Sequence, residues 1–188
     1  MPVVMLNKVR IAFANDIFVA KSVNGGDPRY GATFIIEPDS ENAKKLKAAM
    51  EEAAKAKWKD AAANTLKEII RKDRTAYGET EMMSSAGKVV NGFEGKYYMK
   101  AYNKSRPTVI GRKKEPLTQA DGKPYSGCYV NATVDVWAQD NPNFGKRING
   151  TLTGVQFHSD GEAFGGGAPA DPDAFPDLGV DEKDDSFF

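Results

Sequence analysis

The chain reads as a mainly antiparallel β body with one helical insertion and an acidic tail, and three observations predict this. Cys128, Val130, Ala132, Val134, Val136 and Ala138 alternate with Tyr129, Asn131, Thr133, Asp135 and Trp137, the period-two pattern of a half-buried strand. Residues 39–72 are rich in Ala, Lys and Glu, which favour helix. Past His158 the composition turns to glycine, proline and acids, too poor in apolar area to offset the entropy of ordering. The division expected is a body over residues 1–158 and a tail over 159–188.

Taken in order, Val9, Ile11 and Phe13 alternate with Lys8, Arg10 and Ala12, giving a first strand with one apolar and one basic face. Asn15-Asp16 marks a bend, and Ile17 to Val23 is read as a continuation of the sheet. Asn24 to Pro28 is a loop by composition, and Tyr30 to Glu37 is a strand with Tyr30, Ala32, Phe34 and Ile36 on one side. Pro38-Asp39-Ser40 offers side-chain oxygens to cap a helix, after which Ala43, Leu46, Met50, Ala53 and Ala54 follow at helical spacing. A second helical piece spans about Ala61 to Arg71. Glycines break any period between Asp73 and Gly95, which reads as loop, and Pro107 to Gly127 is a second long excursion. After the Cys128 strand, the turn cluster Asp140 to Gly145 returns the chain through Arg147 to Phe157. Gly150 and Gly154 there predict a bulge or tight bend, as the corners of a small barrel require.

Formal net charge is zero over 188 residues, yet the charge is divided. Nine acids and one base fall from Asp160 onward, leaving 25 bases and 17 acids before it, so a body of +8 carries a tail of −8. Such asymmetry points to a nucleic acid or a membrane. No apolar run approaches the ~20 residues of a membrane span. The single cysteine, Cys128, precludes an intramolecular disulfide, so a cytoplasmic protein is expected.

The segment Lys96 to Arg106 carries the most specific chemistry. As a strand it buries Tyr97, Met99 and Ala101 and turns out Lys96, Tyr98, Lys100, Tyr102 and Lys104. Cations attract a phosphate backbone and flat rings stack on unpaired bases, so single-stranded nucleic acid is the ligand that rewards both. On the Cys128 strand, Tyr129 and Trp137 fall on the polar side. The stacking residues expected are therefore Tyr98, Tyr102, Tyr129 and Trp137. The phosphate contacts expected are Arg10, Lys96, Lys100, Lys104, Arg106, Arg112, Lys113 and Lys114. The tail ends in Phe187-Phe188 after Asp181, Glu182, Asp184 and Asp185. A tethered polyanion of this kind competes with DNA for the basic groove, and its terminal phenylalanines and carboxylate suit capture by partner proteins.

Catalytic signatures are missing. His158 stands alone without metal-ligand spacing, and no phosphate-cradling or nucleophile-elbow motif occurs, so neither an enzyme nor a cofactor nor a metal is expected. Two other readings stay open on the residues: a virion structural or assembly protein whose basic face meets DNA, and a metal-dependent nuclease.

Several blocks carry a family likeness: Arg10-Ile-Ala-Phe-Ala-Asn15, Tyr125-Ser-Gly-Cys-Tyr-Val-Asn131, Val134-Asp-Val-Trp-Ala-Gln-Asp-Asn141, Gly154-Val-Gln-Phe157 and Asp160-Gly-Glu-Ala-Phe-Gly-Gly-Gly167. In these the chain resembles the OB-fold family of phage single-stranded-DNA-binding proteins, and its acidic Phe-terminated end is similar to the tails of other single-strand binders. The resemblance implies an OB-fold and sequence-independent binding of single-stranded DNA in phage replication and recombination within the host cell. It also implies that the tail recruits replication and repair proteins. The usual OB order places a helix between the third and fourth strands, which requires Ile17 to Val23 to be a strand.

Overall fold

Alternation decides the architecture. In the computed structural model, which describes residues 2–22, 25–164 and 172–180, the strands are β1 (Val3–Ala12), β2 (Tyr30–Ile36), β3 (Tyr77–Gly78), β4 (Tyr97–Asn103), β5 (Thr108–Ile110), β6 (Tyr129–Asn141) and β7 (Gly145–Ser159). The helices are α1 (Glu41–Trp58) and α2 (Ala62–Arg71). β1 pairs antiparallel with β2 and β6, β2 with β4, and β6 with β7. A parallel contact of β4 with β7, Tyr102 beside Thr151, closes the ring β1–β2–β4–β7–β6. This five-stranded barrel is of the OB type. Below that contact residues 74–78 wedge between β4 and β7, with Lys100 N–H donating to Ala76 O at 2.9 Å and Ala76 N–H to Ile148 O at 2.9 Å.

The inward set is largely the one the alternation marks: Val9 and Ile11 of β1, Phe34 and Ile36 of β2, Met99 and Ala101 of β4, and Val130, Ala132, Val134 and Val136 of β6 are all buried, while Phe13, expected with Val9 and Ile11, is 48% exposed just past the end of β1. α1 starts where Ser40 Oγ accepts from Ala43 N–H at 3.2 Å, and lays Leu46, Met50, Ala53 and Ala54 against β1 and β6. The bend at the two glycines is real. The β6–β7 register shifts between Thr133 and Val134, opposite Gly154 and Leu152. At Gly150 a Cβ would lie 2.5 Å from Met99 Cε and 3.0 Å from Lys100 O, so the strands approach closely there.

Three expectations need correction. Ile17 to Val23 is not a strand. Phe13 takes a left-handed conformation (φ 58°) that throws the chain out of β1, residues Ala14–Ile17 coil into a 3₁₀ turn, and Ile17 is buried by that turn rather than by alternation. Residue 23 lies outside the described residues. The helices therefore sit between the second and third barrel strands, and the barrel closes without the extra strand. Next, 73–95 is more than a loop. It supplies β3, and with Phe93, Met82, Val89 and Val90 it builds a second small core with Ala12, Ile35 and Tyr98 on the outside of the barrel. Finally, 107–127 contains β5, which runs parallel to β7 and holds Leu117 through its N–H to Val109 O at 2.9 Å.

The body also continues past residue 158. β7 runs to Ser159, and residues 160–164 lie against β1 and the 125–127 segment.

Candidate nucleic-acid interface

The outward residues of β4 keep the expected parity, but the structure treats them differently. Tyr102 is 36% exposed. Its ring lies across Gly31 of β2, where a Cβ would stand 2.4 Å from Tyr102 Cδ1, and the Arg29 guanidinium lies 4.0 Å from the ring centre. Burial raises its phenol pKa, with Arg29 opposing the shift. Trp137 reaches the same place from β6. Its Nε1 donates to Thr151 Oγ1 at 3.0 Å, and Thr151 is the residue that registers with Tyr102 where the barrel closes. Two rings 35 residues apart in sequence are thus anchored to one spot on the barrel exterior. Lys104 and Arg106 follow directly on β4, both exposed. Lys104 meets Asp27 at 3.6 Å, but both side chains are about 80% exposed, so the pair is weak.

Tyr98 is the correction. It is 5% exposed, packed with Ile35, Phe93 and Ala12, and its hydroxyl donates to Asp73 Oδ1 at 2.9 Å. Burial first, then the Asp73 hydrogen bond, pushes its phenol up to about 12. A ring so covered offers no face to a base. The loop 79–95 has turned an outward position of the barrel into an inward one. Its neighbour Lys100 is half-buried, with Nζ 5.3 Å from the Tyr98 ring, and lines a cavity of about 320 Å³ together with Asp73, Glu79 and Glu81. Lys96 pairs with Glu37 at 2.5 Å.

A second group gathers at the other end of β6. Tyr129 is half-buried, with Lys8 Nζ 5.7 Å from its ring, and it registers with Arg10 of β1. Arg10 donates through Nε to Gly127 O at 2.9 Å and through a second nitrogen to Glu162 O. Arg112 donates to His158 O and shares a small cleft with Asn131 and Gln156. Lys113 and Lys114 are exposed in the adjoining turn, where Lys114 N–H donates to Gly111 O at 3.0 Å. Eight residues along one strand separate Tyr129 from Trp137, about 26 Å on the same outer face. The Tyr102–Trp137 pair and the Tyr129–Arg10 group thus mark two ends of a stripe.

Sequence reasoning missed four candidate contributors, Arg29, Phe144, Arg147 and Lys8. Arg29 lies in the loop between the first two barrel strands, and Phe144 (71% exposed) stands between Asn143 and Gly145 at the β6–β7 turn, with Arg147 exposed beyond it. Loops at these two positions contact oligonucleotides in OB-folds. The signal for Phe144 was an aromatic inside a turn cluster; Arg29 had none short of the fold. Lys8 was visible as part of the basic face of β1. Cys128 is buried, its thiol pushed up to about 11 by burial, which leaves it inert. Among the described residues no group of three or more His, Cys, Asp or Glu side chains could hold a metal ion, and no helix is long and apolar enough to cross a membrane. Asp181, Glu182, Asp184, Asp185, Phe187 and Phe188 lie outside the described residues.

A family model for the ssDNA-binding protein of Enterobacter phage Enc34 matches residues 2–187. "Putative protein p50" of Acyrthosiphon pisum secondary endosymbiont phage 1 is 37% identical over 184 residues, 97% of each chain. Among solved structures, the single-stranded DNA-binding protein of bacteriophage Enc34 in complex with ssDNA superposes with a TM-score of 0.68 at 24% identity, covering 87% of this chain and 89% of that one. The single-stranded DNA-binding protein gp2.5 of bacteriophage T7 superposes with a TM-score of 0.53 at 13% identity, over 95% and 97% of the two chains. At such identities the two structures speak for the fold.

Proposed function

The chain belongs to the family of the phage Enc34 ssDNA-binding protein, and we propose that it coats single-stranded DNA without regard to sequence during phage replication and recombination in the host cytoplasm. The observation that carries this reading is the convergence of the exposed Tyr102 and the half-buried Trp137, from different strands, on Thr151 at the barrel seam, with Arg29 over the Tyr102 ring. Rings with a free face and cations within reach suit a polynucleotide whose bases are unpaired, since stacking is lost on a duplex whose bases already stack on each other. Arg10, Arg106, Arg112, Lys104, Lys113 and Lys114 supply phosphate contacts around the two groups, whereas Lys96, paired with Glu37, and Lys100, beside Asp73, Glu79 and Glu81, add little net field.

The test is a gel shift with oligo(dT) against duplex DNA of equal length. The single strand is expected to bind more tightly, its log affinity falling with log salt by about 0.7 for each phosphate contacted. Equal affinity for the duplex would overturn the proposal, and shortening of the DNA on adding Mg²⁺ would point to a nuclease.

The tail belongs to the same proposal. Asp181, Glu182, Asp184 and Asp185 form a tethered competitor for the basic body, and Phe187 and Phe188 present an end for replication and recombination proteins to capture. Deleting residues 177–188 is expected to tighten single-strand binding at low salt and to abolish partner capture in a pull-down. Weaker DNA binding after the deletion would refute the competitor role.

A further inference from the structure

Residues 160–164 form a strap over the outside of β1, and at its end one side chain fills a place shaped for a flat ring. The Arg10 guanidinium lies 4.3 Å from the centre of the Phe164 ring. A Cβ built on Gly92 would stand 2.6 Å from Phe164 Cζ and 3.3 Å from Ile35 Cδ1, so the ring lies in room that exists because residue 92 has no side chain. The slot sits in a row of outward residues that crosses four strands, Tyr98 beside Ile35, Ile35 beside Arg10, and Arg10 beside Tyr129. Toward Tyr129 the slot is covered by the strap itself, where a Cβ on Gly161 would lie 3.1 Å from Tyr129 Cε2.

The strap is seated, not draped. Phe164 N–H donates to Ser126 O at 3.1 Å, Gly161 N–H to Tyr125 Oη at 3.1 Å, and Tyr125 Oη to Asp160 Oδ1 at 2.8 Å. The backbones of Gly127 and Glu162 pass so closely that a Cβ on Gly127 would lie 2.2 Å from Glu162 O. In this arrangement Arg10 is spent on the Gly127 and Glu162 carbonyls and on the Phe164 ring. It can meet a phosphate only if the strap gives way.

Resting on the single-strand-binding reading, we propose that the slot formed by Arg10, Ile35 and Gly92 is a binding site for an unpaired nucleobase, and that Phe164 is its resident plug. A guanidinium face accepts any base by stacking. A phenyl ring is as flat as a base and makes no hydrogen bond of its own, so what holds the strap is the Tyr125–Asp160 bond and its backbone donors, all of which water can replace on release. When the strap leaves, a phosphate oxygen replaces the neutral Glu162 carbonyl at Arg10, a stronger, charge-assisted partner. Base entry and strap release are then one event, and occupancy of the slot reports DNA binding to the chain beyond residue 164.

Hydrogen exchange on the full chain tests this directly. With saturating oligo(dT), the amides of Gly161 and Phe164 are expected to lose protection relative to the free protein. Unchanged or increased protection in a complex shown by gel shift to be formed would overturn the proposal. Phe164→Ala is expected to bind oligo(dT) about tenfold more tightly if the plug is seated about nine-tenths of the time. Affinity no higher than that of the parent chain would overturn it. Should that variant not fold, Phe164→Leu keeps an apolar group without the flat ring, and the same rise is expected. If the strap stays protected while Tyr102 and Trp137 variants lose affinity, the slot fails and single-strand binding stands. If single strands are not preferred over duplex, both fail.

Discussion

Replacing Tyr102 and Trp137 together by alanine is expected to weaken oligo(dT) binding by about 2–6 kcal/mol, at least about 30-fold, since each base–ring stack contributes about 1–3 kcal/mol. Both rings are held in place before any ligand arrives. Tyr102 cannot sink into the barrel because the Gly31 backbone lies directly beneath it, and the Trp137 indole is fixed through its N–H to Thr151. A ring already fixed loses little rotamer freedom on binding, so most of its stacking energy appears as affinity. Neither residue belongs to the two buried cores, so the denaturation midpoint of the double variant should stay close to that of the parent chain. Fluorescence anisotropy at fixed salt measures the loss. Unchanged affinity in a folded variant would place the interface elsewhere.

Tyr98→Ala is expected to do the reverse. Removing a ring 5% exposed from among Ala12, Ile35 and Phe93 leaves a cavity, at a cost of about 3–5 kcal/mol. The lost hydrogen bond to Asp73 adds little, since Asp73 is exposed and water replaces the phenol. Urea denaturation reads this loss, while oligo(dT) affinity of the folded fraction stays unchanged. A drop in affinity with stability retained would return Tyr98 to the interface. The contrast between Tyr98 and Tyr102, four residues apart on one face of one strand, is a direct test of where the interface ends.

How far the sequence reaches can be judged on these same residues. The alternation of β6 told which side chains face the core: Cys128, Val130, Ala132, Val134 and Val136 are buried, and Ala138 is half-buried at the strand's far end. The Ser40 cap placed the start of α1, and helical spacing placed α2 within a residue, because cap and periodicity are both local. Ile17 failed because an apolar residue buried by a turn carries no period to read. Tyr98 failed for a different reason. Its parity was right, but parity says only which side of a strand a residue occupies, and here that side lies beneath Phe93 from a loop without any regular pattern.

What the sequence determined by itself, then, was most of the inward set of β1, β2, β4 and β6, the two helices, the split of +8 and −8 between body and tail, and the chemistry of rings and cations offered to a polynucleotide. The tertiary structure decided which of those rings meet solvent and which share a neighbour. Closing the barrel brought Trp137 to Tyr102, the loop 79–95 took Tyr98 away, and residues 160–164 engaged Arg10. The physical reason is range. Side-chain direction follows from the dihedrals of neighbouring residues, whereas cover and convergence depend on segments tens of residues away packing onto the same surface.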